Sequence, residues 1–140
     1  MVDSVASIVT LAQVSLVLIK ATYNFIRDAQ VIDSLVGKLQ LSLRDLYKLI
    51  KLVELTCKQS RIQENDLSHF IQGALTRCGR RLKGVDVIVH KLAAKKTGTF
   101  FRRAALKICS DRAKKDIEEA IGDIKELMDQ IHKGISLCIL

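Results

Sequence analysis

The chain has 140 residues, 49% hydrophobic and 27% charged, with a net charge of +8. That length suits one domain with one core, and the apolar content excludes a disordered tail. There is no proline and only seven glycines, so little in the interior opposes long helices. Four cysteines, Cys57, Cys78, Cys109 and Cys138, lie 21, 31 and 29 residues apart. No pair has the short spacing of a metal site, and free cysteines on apolar helix faces imply a reducing, cytoplasmic compartment.

In the first segment Val5, Ile8, Val9, Ala12, Leu16 and Ile19 recur at steps of three and four, the period of one helix face. Asp3 or Ser4 is the expected cap. Leu11, Val14, Val17 and Leu18 widen the stripe, so this helix is expected to be buried between others and to run through Tyr23 and Phe25 toward Arg27. Residues 2–19 lack the positive leading region of a secretory signal, and Ser4, Ser7, Thr10, Gln13 and Ser15 interrupt the apolar run. These features argue against a constitutive membrane anchor and leave conditional insertion open.

A second helix is expected from about 31 to 58 on Leu35, Leu39, Leu43, Leu46, Ile50 and Val53, with Lys38, Arg44, Asp45, Lys48, Lys51 and Glu54 outside the stripe. Residues 59–65 form a polar connector. Asp66 caps a third helix carrying Leu67, Ile71, Ala74, Cys78, Leu82, Val85, Val89 and Leu92. Gly73, Gly79 and Gly84 weaken it unless close helix approach requires them. The pattern lapses at 93–99, and residues 100–108 read as a short helix. The last helix buries Ile117, Ile121, Ile124, Leu127 or Met128, Ile131, Ile135 and Cys138. It ends without a glycine cap or polar tail, as expected for the amino-terminal domain of a longer protein. Short connectors between long helices imply an all-α fold, an antiparallel four- to five-helix bundle.

Catalytic machinery is hard to assemble from these residues. His69, His90 and His132 fall on separate segments, and no P-loop, Rossmann fingerprint or nucleophile elbow is present. Asp116, Glu118, Glu119, Asp123, Glu126 and Asp129 read as a solvated helix face paired with Lys115, Lys125 and Lys133. The expectation is no catalytic residue, no metal site and no cofactor.

Charge is the strongest local anomaly. Residues 77–115 hold thirteen basic side chains against Asp86 and Asp111, a net of +11, leaving −3 for the rest of the +8 chain. Lys95, Lys96, Arg102 and Arg103 flank Gly98 and the pair Phe100 and Phe101. Basic and aromatic side chains together suit an anionic lipid surface, at about 1 kcal/mol per cation near the surface. Two other readings stay open: the rings pack the short helix onto the bundle, or the cations meet nucleic acid, the less favoured partner.

The opening Asp3-Ser-Val-Ala-Ser-Ile-Val-Thr-Leu11, the polar break before the third helix, Lys115-Asp-Ile-Glu-Glu-Ala-Ile-Gly-Asp-Ile-Lys-Glu-Leu127 and the closing Ile135-Ser-Leu-Cys resemble the HeLo-like amino-terminal domains of fungal STAND and NLR-like receptors. The resemblance spans nearly the whole chain. It implies a helical executioner domain in front of sensing and oligomerising modules, acting in regulated cell death during incompatibility or defence. It further implies self-association and relocation from cytoplasm to plasma membrane. On this reading Val5, Ile8, Val9, Leu16 and Ile19 enter the bilayer, while Lys95, Lys96, Arg102 and Arg103 bind anionic lipid. The competing expectation is a non-lytic adaptor in which the first helix is permanent core.

Overall fold

The computed structural model describes residues 4–28, 33–59, 66–94 and 111–138, and these are helical almost throughout. Four helices follow in order: α1 (Ser4–Asp28), α2 (Ser34–Lys58), α3 (Asp66–Ala94) and α4 (Asp111–Cys138). The short helix expected at 100–108 lies outside the described residues, as do Phe100 and Phe101.

α2 starts three residues later than its apolar pattern suggests because Asp33 is an N-cap. Its backbone is extended (φ −80°, ψ 129°), and its carboxylate accepts a hydrogen bond from the Leu35 amide at 2.8 Å. At the other end the Gln59 amide donates to the Leu55 carbonyl at 3.0 Å and closes the last turn.

Each helix turns one apolar stripe inward. Ile8, Ala12, Ile19 and Ile26 of α1 meet Leu39, Leu43, Leu46 and Ile50 of α2, Ile71, Leu75, Cys78 and Leu82 of α3, and Ile117, Ile124 and Ile131 of α4 in one continuous core. Of the alternatives for α4, Leu127 is buried and Met128 only partly so. α1 packs on α2 and α3, and α4 packs on the same two, so α1 and α4 stand at diagonally opposite corners.

Direction follows from the cross-helix partners. Arg77 meets Gln130, Arg81 meets Asp123 and Ile71 meets Gly134, so α3 and α4 are antiparallel. Ser15 with Cys78, Thr22 with Asp86 and Phe25 with His90 rise together, so α1 and α3 run parallel. The expectation of antiparallel neighbours therefore holds for α3 with α4 but not for α1 with α3. The reason is topological: α2 and α3 do not touch, so the chain returns up the bundle at the corner across from α2, beside α1.

Two further expectations change. Glu54 is buried in α2, its carboxylate held between Lys51 and Lys58 at 3.8 Å each, so a long acidic side chain lies over the core edge under two cations. Close helix approach is not what Gly79 and Gly84 supply, since a Cβ at either would meet nothing within 4 Å. It occurs instead at Gly134, where a Cβ would come within 2.8 Å of Ile71 Cγ1 and 3.2 Å of Phe70 Cδ1.

One substitution should therefore act with opposite signs along α4. Gly134→Ala overpacks a closed contact and is expected to lower stability by about 1–3 kcal/mol. Gly122→Ala, in open space on the exposed face, should raise it by about 0.5–1 kcal/mol through helix propensity. Urea unfolding of both variants checks the pair.

Candidate functional site

Between Ser4 and Ile26 the only charged side chain of α1 is Lys20. The stretch Ala6–Asp28, 23 residues, is long and apolar enough to cross a membrane. At 1.5 Å per residue it extends roughly 34 Å, against roughly 30 Å of bilayer hydrocarbon. Length and composition alone do not separate such a helix from a soluble core helix, so its seat in the bundle matters.

That seat is apolar on one side and open on the other. Of the residues assigned to membrane entry, Ile8, Leu16 and Ile19 are buried, and Val9 is partly buried against the core. Val5 lies in the first turn of α1. The outer side is not covered as expected: Val14 is 50% and Val17 68% exposed, because among the described residues α1 has two helical neighbours. The width of the apolar stripe reflects an outward apolar surface, not burial on most sides.

Two polar residues of α1 face inward as well. Ser15 hydrogen-bonds the Cys78 thiol, and the Thr22 hydroxyl donates to Asp86 Oδ1 at 3.4 Å. Both are 1% exposed, so each relies on α3 to satisfy its hydroxyl. Ser15 therefore interrupts the apolar sequence without interrupting the buried face. Asp86 also meets His90, whose Nδ1 lies 3.2 Å from Asp86 Oδ1 and 2.8 Å from its carbonyl oxygen. Both contacts are acceptors, so Nδ1 carries the proton. The Phe25 ring stacks on His90 at 4.1 Å between centroids. Thr22, Asp86, His90 and Phe25 thus form a polar and aromatic clasp near the carboxyl ends of α1 and α3. Sequence periodicity had no means of pairing residues 64 positions apart.

On the opposite side of α3, Arg80 and Arg81 line a hollow of about 180 Å³ together with Asp116, Glu119 and Asp123 of α4. Arg81 Nη1 lies 3.4 Å from Asp123 Oδ2. Part of the α4 acidic series thus faces the α3 arginines, not solvent alone, and offsets part of the basic span. Lys95, Lys96, Arg102 and Arg103, the cations assigned to lipid, lie outside the described residues. Among the described residues no three of His, Cys, Asp and Glu come together as metal ligands, and no buried side-chain polar atom lacks a partner. Compared with protein-family models, curated proteins and solved structures, the chain has no match in any of the three.

Burial pushes the Cys78 thiol up from 9.0 to about 12, against the opposing pull of the Ser15 hydrogen bond. A folded value above the unfolded one means that this thiol's contribution to stability is complete below about pH 9 and is lost as pH rises toward about 12. In the folded chain at pH 8, iodoacetamide should leave Cys78 unmodified and react with it once urea unfolds the bundle. Site-resolved mass spectrometry reads this directly, and rapid labelling in the absence of urea would contradict the seat described for α1.

Proposed function

We propose that this chain is the effector domain of a receptor that executes regulated cell death by disrupting an anionic membrane after oligomerisation. In this reading it is a bundle of four long helices, and it acts by contact, not catalysis. It waits in the cytoplasm and moves to the plasma membrane when downstream modules cluster it. The HeLo-like resemblance supplies the biological setting. The physical support is a single observation: α1 is a membrane-length helix whose large inward side chains are core and whose outward valines are exposed.

The energetics favour exchange between two apolar environments. Burying each of Ile8, Leu16, Ile19 and Ile26 contributes roughly 1.5–3 kcal/mol relative to water. A bilayer offers the same relief, so α1 is held strongly against release into water but weakly against release into lipid. Its hydroxyls have a route too. Thr10 already donates to the Ala6 carbonyl of its own helix at 3.2 Å, and Ser15 and Thr22 can do the same once α3 is gone. Clustering raises the local concentration of such helices at the membrane. Lys95, Lys96, Arg102 and Arg103 would hold the domain at the anionic surface.

A non-lytic adaptor is the second reading, and the engagement of Ser15 and Thr22 by α3 favours it, since both suit a permanent core helix. Ser15→Cys separates the two. Its side chain takes the place of one already in hydrogen-bond contact with Cys78, so oxidation should tether α1 to α3. Dye leakage from anionic vesicles is expected to vanish in the oxidised variant and return with reductant. Leakage that persists in the verified disulfide form contradicts release of α1, and an unmodified chain that binds vesicles without leakage favours the adaptor.

A further inference from the structure

A groove of about 410 Å³ runs between α1 and α2, lined by Ile19, Lys20, Tyr23, Arg44, Tyr47 and Lys48 among others. Its floor is aliphatic and aromatic. Its rim carries three cations and, among its lining residues, no carboxylate. Arg44 has an exposed neighbour in Asp45 at 3.7 Å, while Lys20 and Lys48 have no ion pair among the described residues. The α3/α4 hollow, by contrast, matches its arginines with acids of its own. Here two of the three rim cations, Lys20 and Lys48, face outward without an ion pair among the described residues.

The surface beyond the groove continues in one direction. On α2, Arg44, Lys48, Leu52 and Leu55 follow at steps of four, four and three, which places them on one face. On α1, Val17 stands three residues before Lys20 on the same face. Val17, Leu52 and Leu55 are all exposed. Cations followed by uncovered aliphatic side chains match a molecule with an anionic head and an apolar tail.

We infer that the α1/α2 groove is a binding site for an anionic phospholipid, with its phosphate on Lys20, Arg44 and Lys48 and its acyl chains toward Val17, Leu52 and Leu55. The site deepens the membrane reading and rests on it. It uses cations other than Lys95, Lys96, Arg102 and Arg103, and it requires no departure of α1. It gives the folded domain a lipid contact on the very helix pair that later opens.

The test uses the full chain, isotopically labelled, titrated with short-chain dihexanoyl phosphatidic acid below its micelle concentration, with dihexanoyl phosphatidylcholine and with inorganic phosphate. Phosphatidic acid should produce saturable amide shifts around Lys20, Tyr23, Tyr47 and Lys48, with at least tenfold weaker binding by the other two. The combined variant Lys20→Ser, Arg44→Ser and Lys48→Ser, all exposed positions, should keep its helical circular dichroism and bind phosphatidic acid at least tenfold more weakly. Equal binding by the variant, absence of saturation, equal affinity for inorganic phosphate, or stronger binding of an acidic amphipathic peptide overturns the site. Vesicle leakage separates this failure from that of the broader reading. Saturable lipid binding without leakage retains the site and rejects membrane disruption, whereas leakage by a chain that shows no saturable binding in the groove rejects the site alone.

Discussion

The structure depends on how α1 is held. Its inward row of Ile8, Ala12, Leu16, Ile19 and Ile26 contributes to the common core, while Ser15 and Thr22 in the same face take their hydrogen bonds from α3. The apolar part of this contact is non-directional and any apolar medium can replace it. The polar part is directional and belongs to α3, where Asp86 holds Thr22 and the His90 beneath Phe25. One set of contacts gives the helix adhesion, and the other gives it register.

Charge is distributed to match. Where α3 meets α4, Arg81 pairs with Asp123 across the interface, beside a hollow that Arg80, Asp116 and Glu119 also line. Along α1 and α2 the cations around the groove look outward beside exposed aliphatic side chains. The corner helix α1, diagonal to α4, carries the exposed Val14 and Val17 and borders the groove whose Lys20 and Lys48 have no ion pair among the described residues.

Much of this was legible in the sequence because a helix face is a local property. Steps of three and four placed Leu39, Leu43, Leu46, Ile50 and Val53 inside, and all are buried. Periodicity names the face but not the neighbour. It gave no hint that α1 and α3 run parallel, that Ser15 faces Cys78, or that Gly134 is the tight glycine. Glu54 shows the same limit, because a carboxylate outside the apolar stripe is nonetheless buried, with Lys51 and Lys58 beside it. Val14 and Val17 were legible as apolar yet misassigned to burial, since the number of neighbours around a helix is a tertiary fact. The basic stretch was visible as composition, but only the folded arrangement pairs its Arg81 with Asp123 and brings Lys20, Arg44 and Lys48 to one groove.

The most direct measurement is the rate at which Cys78 reacts with iodoacetamide when the folded chain meets vesicles, resolved by site and compared with dye release. If α1 leaves α3 for the bilayer, Ser15 leaves with it, and Cys78 should become reactive with anionic vesicles at the rate of leakage and stay protected with zwitterionic ones. Leakage that proceeds while Cys78 remains protected would contradict the account.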